Sequence, residues 1–187
     1  MYFPSIHITN ARLSCPFSIT TSAHGPSRND GAWSCKISIQ KNSFFQNGSF
    51  QPLGGPGEKI PFALVTNKEH LEPMLRRAQL AVLNPGSEAV QFVDIDLDGA
   101  RATRQVAFSP NIVCLEIQGP DLPELSFVDL PGTITNTGEE DDPRDKDLVQ
   151  RIEKLVTAYL DDKKSLVLLA CGRSIAVLES WALLTME

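Results

Sequence analysis

Two stretches of this sequence set acids and glycines where a cation or a phosphate could sit. Asp129-Leu130-Pro131-Gly132 follows the apolar run Leu125 to Val128. In nucleoside-triphosphatases an Asp at the end of a buried strand holds magnesium. A glycine just beyond lets backbone approach the terminal phosphate, where its N–H can detect that group. As a bare pattern D-x-x-G is weak, because about one match arises by chance in a chain of this composition. Asp96-Leu97-Asp98-Gly99 is a second match. Context separates the two: only Asp129 ends an apolar strand and leads into a loop and a helix. A tight Pro-Gly turn closing a strand is the plainer account of the same residues.

Asp94-Ile95-Asp96-Leu97-Asp98-Gly99 also looks like the first half of a calcium loop. Such a loop needs a bidentate Glu at its twelfth position, and that position is Gln105. Three solvated acids on a short edge strand, Val93 to Leu97, explain the run instead. The histidines (His7, His24, His70) lack ligand spacing. Cys15, Cys35, Cys114 and Cys171 form no C-x-x-C pair, so they read as buried thiols of a reducing compartment.

The elements that must position Asp129 follow from periodicity. Leu13, Cys15, Phe17 and Ile19 alternate with polar residues, as do Trp33, Cys35, Ile37 and Ile39. This predicts two half-buried strands joined by a polar loop, Thr21 to Ala32. Asn42 to Pro61, dense in glycine and proline, is expected to be loop. Thr66-Asn67-Lys68-Glu69 has capping-box spacing, and Leu71, Met74, Leu75, Ala78 and Val82 continue as a helix that Asn84-Pro85-Gly86 stops. Ile112 to Ile117 and Leu125 to Val128 are strand runs close enough to pair antiparallel. The acids Glu139 to Asp142 and Pro143 suit a helix start. Leu148, Val149, Ile152, Leu155, Val156, Tyr159 and Leu160 share one helical face. Ser165 to Cys171 then reads as a buried strand, which completes a βαβ unit with a right-handed crossover.

Composition bounds the function. The 187 residues suit one domain, and a net charge of -6 argues against general nucleic-acid binding. With 42% hydrophobic and 21% charged residues the chain is globular in type. No apolar run approaches the ~20 residues of a membrane span, and no signal peptide is visible at Met1 to His7. Nor is there an amphipathic lipid-binding helix. A soluble, cytoplasmic domain is the expectation.

Phe108-Ser109-Pro110-Asn111 through Ile117, then Gly119-Pro120-Asp121-Leu122-Pro123-Glu124 and the run into Asp129-Leu130-Pro131-Gly132, resembles the GTPase domain of the dynamin superfamily. The form looks most like the dynamin-related proteins of filamentous fungi. Weaker similarity covers roughly Arg12 to Cys171: Cys15-Pro16 opening a strand, Trp33-Ser34-Cys35 in the next, and the helix and strand after Gly132. The ends, 1–10 and 179–187, are unfamiliar. The resemblance implies GTP as ligand with Mg2+ and a membrane-remodelling role, so that membrane enters only indirectly. It also implies other dynamin-like G domains as partners. By position Asp129 would hold the metal through a water and Gly132 would address the γ-phosphate, with Leu130 and Pro131 between them in the nucleotide-binding segment.

The departures are equally specific. The phosphate cradle G-x-x-x-x-G-K-[ST] is missing, and the chain contains no Gly-Lys dipeptide. Leu53-Gly54-Gly55-Pro56-Gly57-Glu58-Lys59 interposes Glu58 and follows the Cys-Pro strand, where a cradle would precede it. The family's metal-placing Thr, two residues before Cys-Pro, is Leu13 here. Of the base-reading motif [TN]-K-x-D, Asn67-Lys68-Glu69-His70 ends wrongly and comes too early in the chain. Gly172 to Leu178 resembles the run into that motif, but the motif then falls on Glu179-Ser180-Trp181-Ala182. Three lost phosphate contacts, at ~1.5–3 kcal/mol each, weaken binding at least ~1,000-fold. The expectation is an α/β fold over 1–187: an incomplete P-loop-type G domain, truncated, with a mixed sheet carrying an antiparallel edge pair and the βαβ unit. No catalytic residue is assigned, and GTP binding by this chain is expected to be weak or absent. The sheet is expected to be open where the cradle strand belongs. A nucleotide-independent module docking on full-length dynamin-like partners, or a decayed reading frame, are the alternatives.

Overall fold

The computed structural model describes residues 14–23, 32–100, 104–132, 148–161 and 166–168. Its strands are β1 (Phe17–Ser22), β2 (Ser34–Lys41), β3 (Ser43–Gln46), β4 (Ser49–Pro52), β5 (Glu58–Val65), β6 (Ile112–Gln118) and β7 (Leu125–Asp129). The helices are α1 (Leu71–Val82), the single turn α2 (Leu97–Ala100) and α3 (Leu148–Leu160). Five strands form one mixed sheet in the order β5-β2-β6-β1-β7, and β3 and β4 form a separate hairpin. The fold is mixed α/β, as the sequence implies.

The expected alternation builds the core. Phe17 and Ile19 of β1, Cys35, Ile37 and Ile39 of β2, and Val113, Leu115 and Ile117 of β6 are buried in one cluster with α1. Helix α1 brings Leu71, Leu75, Ala78 and Val82, at the spacing of one helical face, down onto β2, β5 and β6. The opposite face is polar: Thr20, Glu116 and Lys36 lie in one cross-strand row. Lys59 and Lys36 both pair with Glu116, at 2.5 and 3.8 Å. Cys15, Cys35 and Cys114 are unpaired thiols and buried, as read from their spacing.

Several expectations are corrected. β6 and β7 do not pair: β1 lies between them, parallel to β6 and antiparallel to β7. The antiparallel edges are therefore β1–β7 and β2–β5. The stretch 42–61 is not a simple loop, because Asn47 (φ 51°) and Gly48 (φ 78°) turn β3 into β4, and β5 begins at Glu58. Both central residues of that turn have positive φ, which Asn-Gly tolerates best. Val93 to Leu97 is no strand; a 3-10 helix at Ala89–Phe92 leads through a turn at Val93 and Asp94 into α2, which begins at Leu97. The cap before α1 is Asn67, whose Oδ1 accepts from the Glu69 N–H at 3.0 Å and opens a 3-10 turn at Lys68–His70. Thr66 is therefore not the cap.

The βαβ unit is not formed by the described residues. Leu166–Leu168 is outside any strand, and Leu166 and Leu168 are 99% and 95% exposed, so this part of Ser165 to Cys171 is not buried. The sheet's parallel pair is β1–β6, drawn from distant parts of the chain. Leu13, the helix start at 139–143, and the segment 172–182 lie outside the described residues.

Candidate functional site

Asp129 is the last residue of β7 and stands opposite Phe17, the first of β1. That places it beside Cys15-Pro16, at the end of the sheet where β6 also begins. The local geometry is held from several sides. The Ser109 N–H donates to the Ser14 carbonyl at 2.9 Å, and the Val113 N–H donates to that of Pro16 at 3.0 Å. Pro131 is fully buried and pins the turn after Asp129. Leu130 is half-buried, whereas Asp129 and Gly132 are exposed.

The strand carrying Asp129 is not the buried strand anticipated. All five residues of β7 are exposed, because α1 covers β2, β5 and β6 and stops short of this edge. Partial burial still raises the Asp129 carboxyl above the ordinary carboxylate range. Among the described residues no hydrogen bond or cation offsets that desolvation. A side chain at Gly132 would meet nothing within 4 Å, and its φ lies outside the left-handed region. Neither packing nor backbone conformation among the described residues therefore accounts for glycine there.

The other motif candidates are not brought to Asp129. The glycine-rich segment 53–57 enters β5, at the far edge of the sheet. Four strand spacings, roughly 19 Å, separate β5 from β7. Gly57 has its own structural reason: a Cβ there would run into Asn42 Oδ1 and the Lys41 carbonyl. Asn67 to His70 follows the end of β5, and the strand directions place it at the opposite end of the sheet. Asp94, Asp96 and Asp98 are exposed, and Asp96 Oδ1 caps the Asp98 N–H at 3.1 Å. Gln105 Oε1 accepts from the Gly86 N–H, so the calcium-loop position is otherwise engaged.

Magnesium requires near-octahedral oxygen ligation, commonly one or two carboxylates with phosphates and water. Among the described residues no three His, Cys, Asp or Glu side chains cluster as metal ligands. A single carboxylate with no cradle beside it does not fit a Mg2+–nucleotide site. Sequence reasoning singled out neither Glu116 nor Lys59. Lys59 stands opposite Gln40 and Glu116 opposite Lys36, so the long lysine side chain reaches diagonally over β2 to the carboxylate, a relation that carries no local signal.

No family model matches the chain. It is 29% identical over 128 residues to the interferon-induced GTP-binding protein Mx2 of Ovis aries, covering 65% of this chain and 15% of that protein. Mx of Solea senegalensis is 32% identical over 77 residues, 40% of this chain and 12% of that protein. Human Mx2 is 35% identical over 74 residues, 38% of the chain and 10% of that protein. The similarity supports a dynamin-superfamily relationship. The chain thus matches about a seventh of the sheep protein or less of the others. Among the described residues no helix is long and apolar enough to cross a membrane.

Proposed function

We propose that this chain is a dynamin-type G-domain module that does not by itself bind or hydrolyse GTP. What carries the reading is the Asp129-Leu130-Pro131-Gly132 turn. It closes a strand beside Cys15-Pro16, in a chain partly similar to GTP-binding Mx proteins. In a complete site Asp129 would hold the Mg2+ and Gly132 would face the γ-phosphate. The backbone at Gly132 has the open surroundings such a role needs. The rest of the site is missing: no Gly-Lys dipeptide occurs, and the glycine-rich segment lies across the sheet. The fungal form of the lead-in, the cytoplasmic setting and a link to membrane remodelling belong to the same reading. Its natural partners would be other dynamin-like G domains.

The test is GTP turnover by purified 1–187 with Mg2+, measured as phosphate release. No rate above the blank is expected. Turnover that disappears in Asp129→Ala would overturn the proposal and make Asp129 a working ligand.

A further inference from the structure

Among the described residues the sheet has five strands and two edges, and the edges are built differently. β5 is blunted: it carries Glu58, Lys59 and Pro61, and its ladder with β2 shifts register at Ile37/Ser38. Charges, proline and bulges of this kind stop a sheet edge from recruiting another strand. β7 has none of them between Leu125 and Asp129 except the terminal acid. Among the described residues it pairs only with β1, and no described strand takes the other side of its backbone.

Its side chains are uncovered as well. Leu125 and Phe127 are each 44% exposed and Val128 is 39% exposed. Leu125 and Phe127 stand opposite Thr21 and Ile19, on the sheet side that holds the core. Val128 stands opposite Ser18, on the other side. An unpaired edge with apolar groups on both faces is a template for strand addition.

We propose that the free edge of β7 takes up an extended apolar segment of another chain that carries lysine or arginine at its ends. Charge selects this occupant. Glu124 and Asp129 bracket the strand, Asp121 lies just before it, and Asp129 has no described hydrogen-bond or ion partner. A basic residue at either end of an added strand meets an acid in a cross-strand position. A second copy is disfavoured because each chain carries a net charge of -6 and would bring the same acids to the edge. This site is independent of nucleotide binding and goes beyond the reading above.

The test uses fluorescein-labelled Lys-Val-Thr-Ile-Val-Lys, whose lysines are five positions apart like Glu124 and Asp129, against the whole 1–187 chain, followed by anisotropy. Saturable binding below ~1 mM is expected. It should weaken at least ~10-fold when both lysines become glutamates, the equivalent of about 1.4 kcal/mol. It should disappear when every internal peptide residue is N-methylated, and also in Phe127→Lys. The N-methylated peptide leaves the protein unchanged, so the result stands even if the variant misfolds. No binding at ~1 mM, or equal binding of the N-methylated or glutamate-ended peptide, would overturn the proposal. A dimer in sedimentation equilibrium that Phe127→Lys dissolves would assign the edge to a second copy and overturn it too.

Discussion

Glu116 is the most connected charged residue described. Its carboxyl is held below the ordinary range, first by the hydrogen bond from Lys59 and also by the charges of Lys59 and Lys36. The same hydrogen bond raises Lys59. A lowered carboxyl contributes stability above its unfolded pKa and loses it as pH falls through the folded value. A raised lysine contributes fully below its unfolded pKa and loses it as pH rises through the folded value. The pair therefore stabilises the middle of the pH range and fades at both ends. Both side chains are more than a third exposed, at 46% and 37%, so water screens the pair to about 0–1 kcal/mol. Glu116→Gln should lower the melting temperature slightly at pH 7 and by less at pH 3, because the pair's contribution is lost as Glu116 takes up its proton. Thermal melts at the two pH values check this. Asp129 has the opposite sign: burial raises its carboxyl, so its ionised form is a cost to folding. Residue identity alone, an acid on a strand in each case, does not distinguish the two.

At the level of elements, the β3–β4 hairpin shows how a segment dense in turn residues can still be ordered. Asn47-Gly48 reverses the chain, and Phe45 and Phe50 meet edge to face with centroids 5.1 Å apart. Its base is tied to the main sheet by Asn111, whose Oδ1 accepts from the N–H groups of Asn42 and Ser43 at 2.9 and 3.0 Å. Asn111→Ala would strand those donors at about 1–3 kcal/mol. Amide exchange should accelerate at Asn42, Ser43 and the β3–β4 ladder while the centre of β6 stays protected. Equal loss of protection in β6 would mean that Asn111 supports the whole sheet. The hairpin was legible in principle, since Asn-Gly lies between Ser43-Phe44-Phe45 and Ser49-Phe50; the glycine and proline density of 52–57 masks that signal. Helix α1 was legible because its apolar face repeats every turn, and its first residues were not, because Asn67 and Thr66 offer equally good caps.

For the whole molecule, a thermal melt with Mg2+-GTP separates the readings of the site by magnitude. A ligand at 1 mM that binds with a Kd of ~1 mM or weaker stabilises by at most about 0.4 kcal/mol, a shift of about 1–2 °C at most. A micromolar site would give about 4 kcal/mol and a shift on the order of 10 °C. The small shift is expected. Local pattern was enough to place β1, β2, β6, β7, α1 and α3 within a few residues, and to mark Asp129 as the end of a strand. Alternation and helical spacing are properties of neighbouring residues, so a linear chain displays them. Strand order is different, because backbone hydrogen bonding is the same for every strand and pairing is settled by which faces bury together. Only the tertiary structure put β1 between β6 and β7, brought Lys59 to Glu116, and left β7 beyond the reach of α1. Sequence alone thus determined that a strand ends at Asp129 and that no cradle motif accompanies it. The fold decided that this strand lies uncovered at an edge, because one short helix can cover only the strands it lies across.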